Sequence, residues 1–239
     1  MGSADKLKVY NNVFDRYTDE NLHKLAGRGL FQELKSSISL GKEANIFTAS
    51  TKEDSVLIVK IYRLQSANFN KMLEYILQDP RIFGIKNQRR KIIFAWAKRE
   101  YRNILKARDA GVSVPTPIEF LDNIVVMEYI GEKDKPAPQL KDLNIKNWEK
   151  NEAEELLQDI ITNMKKLHKA DLVHGDLSSF NILYHKGKVV FIDFSQATVK
   201  KNRQYDELLR RDCKNIAIFF SKNGLELSEE DLLSKITEQ

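Results

Sequence analysis

The chain has 239 residues, 42% of them hydrophobic and 31% charged, with 39 Lys and Arg against 34 Asp and Glu. That length admits one two-lobed domain or two small ones. The longest apolar runs, 56–59 and 189–192, are too short to span a bilayer, and a single cysteine, Cys213, excludes an internal disulfide framework. The net charge of +5 permits a phosphate-rich partner without demanding one. With no apolar signal-peptide core at its N-terminus the chain reads as cytoplasmic, without membrane contact.

Residues 1–35 read as a mostly polar helical extension with Leu22, Leu25 and Leu30 as packing points. The run Gly41-Lys42-Glu43-Ala44-Asn45 reads as a loop, followed by strands at 46–49 and 56–62. The stretch 63–90 has no clear strand, is interrupted by Asp79-Pro80, and reads as a mobile or locally helical insertion. A helix is expected over 92–107, with Ile93, Trp96, Tyr101, Ile104 and Leu105 on its buried face. Gly111 ends it and Pro115-x-Pro117 blocks continuation. A buried strand over 124–129 runs into Gly131 and a connector with Pro136 and Pro138, which marks a boundary. The expected domains are therefore 1–35, a lobe over 36–130 with its insertion near 63–90, and a second lobe over 131–239.

Beyond the boundary, residues 152–169 form a strongly amphipathic helix through Ala153, Leu156, Leu157, Ile160, Ile161, Met164 and Leu167. Runs 182–184 and 189–192 pair as a hairpin around Lys186-Gly187. The last helix opens at Ser228 with Asp231 three residues on, a capping-box spacing. Strands with one helix, a connector, then helices with one hairpin make an α+β, two-lobed plan.

Chemistry concentrates in His174-Gly175-Asp176-Leu177-Ser178-Ser179-Phe180-Asn181, followed by Ile192-Asp193-Phe194. An acid, an amide oxygen five residues later and a second acid at a strand end suit phosphoryl transfer from ATP. Asp176 would orient the acceptor or take its proton, and Asn181 with Asp193 would hold magnesium on the phosphates. Lys60 ends an apolar strand, where a buried ammonium needs an anionic partner. It suits the ATP phosphates, steadied by a helix glutamate for which Glu100 is the best candidate. Only one glycine stands in the run from Gly41, so Lys42 is the candidate to help hold the phosphates. Adenine would bond the backbone of Glu128 and Ile130. His174 reads as structural, bonding backbone near Asp193. Gly175 stands where many protein kinases carry the arginine that reads an activation-loop phosphate. All five prolines precede residue 139, so no Ala-Pro-Glu segment follows Asp193. Ser195, in place of a glycine, stiffens the joint after Phe194. Lys86, Arg89, Arg90, Lys91, Lys98, Arg99 and Arg102 crowd one basic stretch, a solvated helix face or an RNA contact.

Together these residues resemble the RIO family of atypical kinases, in its Rio-one subgroup. The resemblance runs through 39–45, Val59-Lys60-Ile61-Tyr62, Met127-Glu128-Tyr129-Ile130-Gly131, 173–184, Ile192-Asp193-Phe194-Ser195-Gln196 and 209–215, and covers roughly residues 10–220. Leu40 and Ser179 depart from its usual threonine and glutamate. The Rio-two subgroup, with Asp-Phe-Pro-Gln at the second acid, fits less well. The resemblance implies a protein-kinase-like fold with a β-rich N-lobe and a mainly helical C-lobe lacking the peptide-docking segment. It also implies ATP and Mg²⁺, or Mn²⁺ in its place, and a role in small ribosomal subunit maturation with precursor subunits and their rRNA as partners. Asp193 would itself accept the γ-phosphoryl group, giving a slow ATPase. The rival readings are a nucleotide-gated binding module on precursor ribosomes and the small kinase of tRNA threonylcarbamoylation.

Overall fold

The computed structural model describes residues 14–85, 88–133 and 135–238, grouped into two compact units. The first takes the chain up to Leu77, then Arg81–Tyr101 and Thr116–Tyr129; the second takes Gln78–Pro80, Arg102–Pro115 and everything from Ile130 on.

The first unit is built on an antiparallel sheet of β1 (Glu33–Leu40), β2 (Ala44–Ser50), β3 (Val56–Tyr62), β4 (Pro117–Leu121) and β5 (Ile124–Glu128), in the order β1-β2-β3-β5-β4. Strand β3 lies in the middle, which is why it reads as an unbroken apolar run: both of its faces are covered. The period of two then divides its side chains. Val59 and Ile61 join Phe47, Ala49, Ile124 and Val126 in one core, closed by Leu22 and Leu25 of helix α1 (Arg16–Gly27). Lys60 and Tyr62 point the other way, towards helix α3 (Arg89–Asp109), whose residues up to Tyr101 belong to this unit. Asp15 caps α1 by accepting from the Thr18 N–H at 3.1 Å. Asn21 donates to Asp122 at 3.1 Å and Thr18 Oγ1 accepts from Asn123 at 2.9 Å, tying α1 to the two-residue β4–β5 turn.

The second unit centres on α4 (Lys150–Lys169), α5 (Tyr205–Lys222) and α6 (Glu229–Thr237). The apolar stripe of α4 is buried, and its Asn163 accepts from the Ser113 N–H at 2.7 Å. Strands β9 (Ile182–His185) and β10 (Lys188–Phe191) form a hairpin in register His185↔Lys188, pinned to α4 by the Val189 N–H donating to Asp159 at 3.0 Å. Short strands β8 (Leu172–Val173) and β11 (Thr198–Val199) pair, as do β6 (Gly131–Glu132) and β7 (Lys135–Pro136). The capping box at Ser228 and Asp231 forms as its spacing predicts.

The structure draws several expected boundaries differently. Of residues 1–35, expected as a helical extension, 1–13 lie outside the described residues; in the rest α1 belongs to the sheet's core, with Leu22, Leu25 and Leu30 packed there, and β1 begins at Glu33. The stretch 63–90, expected to be mobile or locally helical, contains helix α2 (Phe69–Gln78), in line with the second of these, and its Met72 and Ile76, one turn apart, are fully buried. Residues 102–115 group with the second unit rather than with the N-terminal lobe. Two strands of the five-stranded sheet, β1 and β4, were not expected, nor were the two-residue strands β6, β7, β8 and β11. Among the described residues no helix is long and apolar enough to cross a membrane.

If α1 is part of the sheet's core, Leu25→Ala should cost about 2–5 kcal/mol of stability in urea unfolding, as for other buried leucines. A solvated extension would lose no more than about 0.5 kcal/mol.

Candidate functional site

The sequence's candidates fall into two groups, one in each unit. In the first unit Lys60 Nζ lies 2.7 Å from Glu100 Oε1, with both side chains buried. The Tyr62 hydroxyl donates to the other Glu100 oxygen. Two opposite charges and a phenol thus satisfy one another where water does not reach, which a buried carboxylate requires. Tyr62 was not among the expected site residues. Its signal lies in Val59-Lys60-Ile61-Tyr62, since a residue two along a strand shares the lysine's face.

The loop from Gly41 is a tight turn between β1 and β2, and its single glycine is required by close approach. The Gly41 N–H donates to the Ala44 carbonyl at 3.0 Å, and a Cβ on Gly41 would stand 2.8 Å from that oxygen. The turn is held from outside by the Arg63 N–H on the Glu43 carbonyl (2.9 Å) and by Asn68 on the Glu43 carboxylate (2.9 Å). Lys42 is exposed, and its side chain has no partner among the described residues. Glu128 is also exposed, and its carboxylate takes both the N–H (2.9 Å) and hydroxyl (2.6 Å) of Thr116, while its own N–H donates to the Thr116 carbonyl at 2.8 Å. The Ile130 carbonyl accepts from Ala137 at 3.0 Å.

In the second unit the loop after β8 carries Asp176 and Asn181. Gly175 has φ +77°, and a Cβ there would meet the Gln196 carbonyl oxygen at 3.0 Å, so a side chain at the position where many protein kinases place arginine would be strained here. His174 Nδ1 accepts from the Asp176 N–H at 3.3 Å and its Nε2 lies 3.0 Å from the Ile192 carbonyl. A carbonyl only accepts, so Nε2 carries the hydrogen, and His174 is the backbone brace expected. Asp176 Oδ2 accepts from Gln196 Nε2 at 3.0 Å. Asn181 Nδ2 donates to the Asp176 carbonyl at 2.9 Å, and the Ile192 N–H donates to the Asn181 carbonyl at 3.0 Å. That last bond closes the root of the β9–β10 hairpin and brings Asn181 beside the segment that delivers Asp193.

Asp193 has φ 62° and caps the short 3₁₀ turn Phe194–Gln196. Aspartate tolerates this left-handed conformation better than most residues, so the unusual backbone sits at the acid itself and not at Ser195, which is buried inside the turn. Asn103 secures that turn from α3, donating to the carbonyls of Phe194 (3.0 Å) and Ala197 (2.7 Å). The donor set suits Mg²⁺. Asn181 spends its amide N–H on Asp176, which leaves Oδ1 as a hard oxygen donor alongside the Asp193 carboxylate. Among the described residues no three His, Cys, Asp or Glu side chains gather as a metal cluster. A magnesium ion held here would take the rest of its oxygens from phosphate and water, as Mg²⁺ commonly does.

Two residues with no expected role hold the loop. Asp212 of α5 is wholly buried and accepts the N–H groups of Gly175 and Leu177, each at 2.8 Å. Arg211 donates to the Gly175 carbonyl and, at 3.4 Å, to Gln196 Oε1. The sequence signal for Asp212 is a charge on an apolar stripe, between Leu208, Leu209 and Cys213, Ile216. Burial raises the Asp212 carboxyl from 3.8 to about 7, against the pull of its two backbone donors and Arg211.

The sign of the resulting pH dependence follows. Between pH 3.8 and about 7 the folded protein holds a proton on Asp212 that the unfolded chain has lost, so stability falls as pH rises through that window and levels off above it. One such proton gives a slope approaching ~1.4 kcal/mol per pH unit. Asp212→Asn should remove this component from urea-unfolding free energies measured across the window. An unchanged slope would mean that Asp212 is already ionised throughout.

Comparison with known proteins follows the same lines. Residues 45–232 match the family model described as RIO1, RIO domain. The RIO-type serine/threonine-protein kinase Rio1 of Haloferax volcanii is 38% identical over 99% of this chain and 80% of its own length. Rio1 of Methanocaldococcus jannaschii is 38% identical over 98% and 78%. The human serine/threonine-protein kinase RIO1 is 36% identical over 93% of this chain but only 39% of its own length. Among solved structures, the Rio2 kinase of Chaetomium thermophilum in its ADP/Mg²⁺-phosphoaspartate complex has the same fold at a TM-score of 0.70 and 20% identity, covering 93% of this chain and 67% of that one. The chain belongs to the RIO family of atypical serine/threonine kinases, in its Rio1 subgroup.

Proposed function

We propose that the protein binds ATP with Mg²⁺ and acts as a RIO-type kinase and slow ATPase in the maturation of the small ribosomal subunit, in the cytoplasm. The observation that carries the chemistry is the buried Lys60–Glu100 pair at 2.7 Å, found with an Asp176 held by side-chain and backbone bonds. A lysine kept at 6% exposure against a carboxylate is costly to maintain for stability alone, and suits a charge waiting for phosphate.

In this reading Lys60 holds the nucleotide phosphates, with Lys42 beside the Gly41 turn, and adenine lies against the backbone of Glu128 and Ile130. Mg²⁺, when bound through Asn181 and Asp193, neutralises charge on the phosphates. For protein phosphorylation, Asp176 accepts the proton of a Ser or Thr hydroxyl as its oxygen bonds the γ-phosphorus and the bond to the ADP oxygen breaks. For ATP hydrolysis, an Asp193 oxygen forms the bond to the γ-phosphorus and ADP leaves. Water then attacks that phosphorus, Asp176 takes its proton, and phosphate departs from a regenerated Asp193. The phosphoaspartate named in the Chaetomium Rio2 complex is the same chemistry in a protein of this fold.

Asp176→Asn should lower phosphate transfer about 10²- to 10⁴-fold while leaving ATP affinity nearly unchanged. Asp193→Ala should abolish Mg²⁺-dependent turnover and leave no acid-trapped, hydroxylamine-labile phosphate on the protein. Equal losses of ATP binding and turnover in Asp176→Asn would contradict its assigned role. Measuring ATP turnover and phosphate transfer to protein, with and without small-subunit precursors, separates a kinase from a module in which turnover times release. The Rio1 relatives weigh against the threonylcarbamoylation reading.

The basic stretch supports an RNA contact in altered form. Arg89 sits 4.4 Å over the Phe69 ring and donates to the Ser66 carbonyl at 3.2 Å, and Arg90 lies 4.6 Å over Tyr17. Arg99 is buried, and Lys86 is outside the described residues. Arg89, Arg90, Lys91, Lys98 and Arg102 are all exposed, and Lys98 lies 6.0 Å over the Phe120 ring. Lys91→Ala with Lys98→Ala should flatten the salt dependence of binding to small-subunit RNA by up to about two phosphate contacts. Parallel slopes for wild type and variant would leave the helix without an RNA role.

A further inference from the structure

A groove of about 780 Å³ opens in the second unit between α4, the β9–β10 hairpin and the segment that enters α4. None of Asp176, Asn181, Asp193, Gln196 or Asp212 lines it. One wall is aromatic, with the Trp148 and Tyr184 rings 5.5 Å apart and tilted by 49°. The α4 wall is acidic, carrying Glu152, Glu155 and Asp159 at spacings of three and four, and Lys188 is the one cation among the lining residues. Two of the acids have structural work: Glu152 accepts from the Glu149 N–H at 3.2 Å to close the α4 capping box, and Asp159 accepts from Val189 at 3.0 Å. Glu155 has neither. Its side chain, like the Trp148 indole N–H, makes no hydrogen bond or ion pair among the described residues.

We propose that this groove docks an arginine-bearing peptide segment of a partner protein. Three carboxylates against one ammonium favour a cation. The aromatic wall and the unengaged Glu155 favour a guanidinium over an ammonium, because guanidinium is flat, stacks on rings and offers a carboxylate two parallel N–H donors. The volume lies in the range that holds a whole small ligand, more than one arginine side chain fills. Lys188 on the same rim opposes a ligand that is positive along its whole length, such as a polyamine, and accommodates a chain whose charges are separated by neutral backbone carbonyls. Charge complementarity and aromatic stacking thus select a peptide.

The test uses the full-length protein and the blocked peptide Gly-Arg-Gly-Arg-Gly, followed through the Trp148 indole N–H signal by NMR. The chain has only two tryptophans, and Trp148→Phe assigns the signal. The signal should shift saturably with the arginine peptide and stay still with the same peptide carrying neutral citrulline. Glu155→Gln should weaken binding about tenfold or more. Glu155 is exposed, so this variant should fold as wild type does, with an unchanged melting temperature as the check. No shift up to about 10 mM peptide, equal binding of the citrulline peptide, or unimpaired binding by Glu155→Gln would each overturn the proposal. Spermidine binding more tightly than the peptide would overturn the choice of occupant and make the groove a polyamine site.

Discussion

One carboxylate, cut off from water, shapes the loop on which the proposed chemistry rests. Asp212 takes the N–H groups of Gly175 and Leu177, the residues on either side of Asp176. Two donors at 2.8 Å do not fully offset its burial, which is why its carboxyl is pushed up to about 7 and not down. The constraint extends outward. Gly175 has a positive φ where a Cβ would also crowd the Gln196 carbonyl, both of which disfavour a side chain, and Arg211 donates to the Gly175 carbonyl and reaches Gln196. Gln196 in turn orients Asp176. In many protein kinases an arginine beside the catalytic aspartate waits for a phosphate to order the activation loop. Here an arginine from α5, Arg211, is engaged by the Gly175 carbonyl and Gln196 Oε1.

The candidates for the proposed chemistry were legible because phosphoryl transfer demands particular atoms in a particular order, and Asp176, Asn181 and Asp193 stand in that order. The residues supporting them were less so. Tyr62 and Asp212 leave a periodic trace, one by sharing a strand face with Lys60 and the other by standing on a buried helix stripe. Gln196 and Asn103 leave none, since each acts through side-chain hydrogen bonds to distant parts of the chain. The same physics explains the unexpected strands. β1 buries only Leu34 along its length, so it has no alternation to read, and its backbone bonds to β2 hold it in place. β4 begins with Pro117, which is tolerated at the first residue of an edge strand, where a missing N–H breaks no ladder bond. The three central strands and the long helices, which bury whole faces, were readable for the opposite reason.

Burial is distributed unevenly between the supporting groups and those proposed to react. Glu100, His174, Gln196 and Asp212 are all buried, and each has its polar atoms committed to a neighbour. Asp176, Asn181 and Asp193 are only half-buried. A reacting carboxylate must exchange partners as phosphate arrives and leaves, and complete enclosure would make each exchange a desolvation event. A supporting group keeps the same partners throughout, so enclosure fixes the loop it braces, although burial raises the Asp212 carboxyl. Lys60 is the exception, buried at 6% exposure yet proposed to meet phosphate. Its exposed alternatives would be long, mobile ammonium groups such as Lys42, which hold a phosphate by charge without fixing where it lies. Glu100 and Tyr62 remove that freedom from Lys60, and a fixed ammonium is the one that can set the geometry of a transferring phosphoryl group.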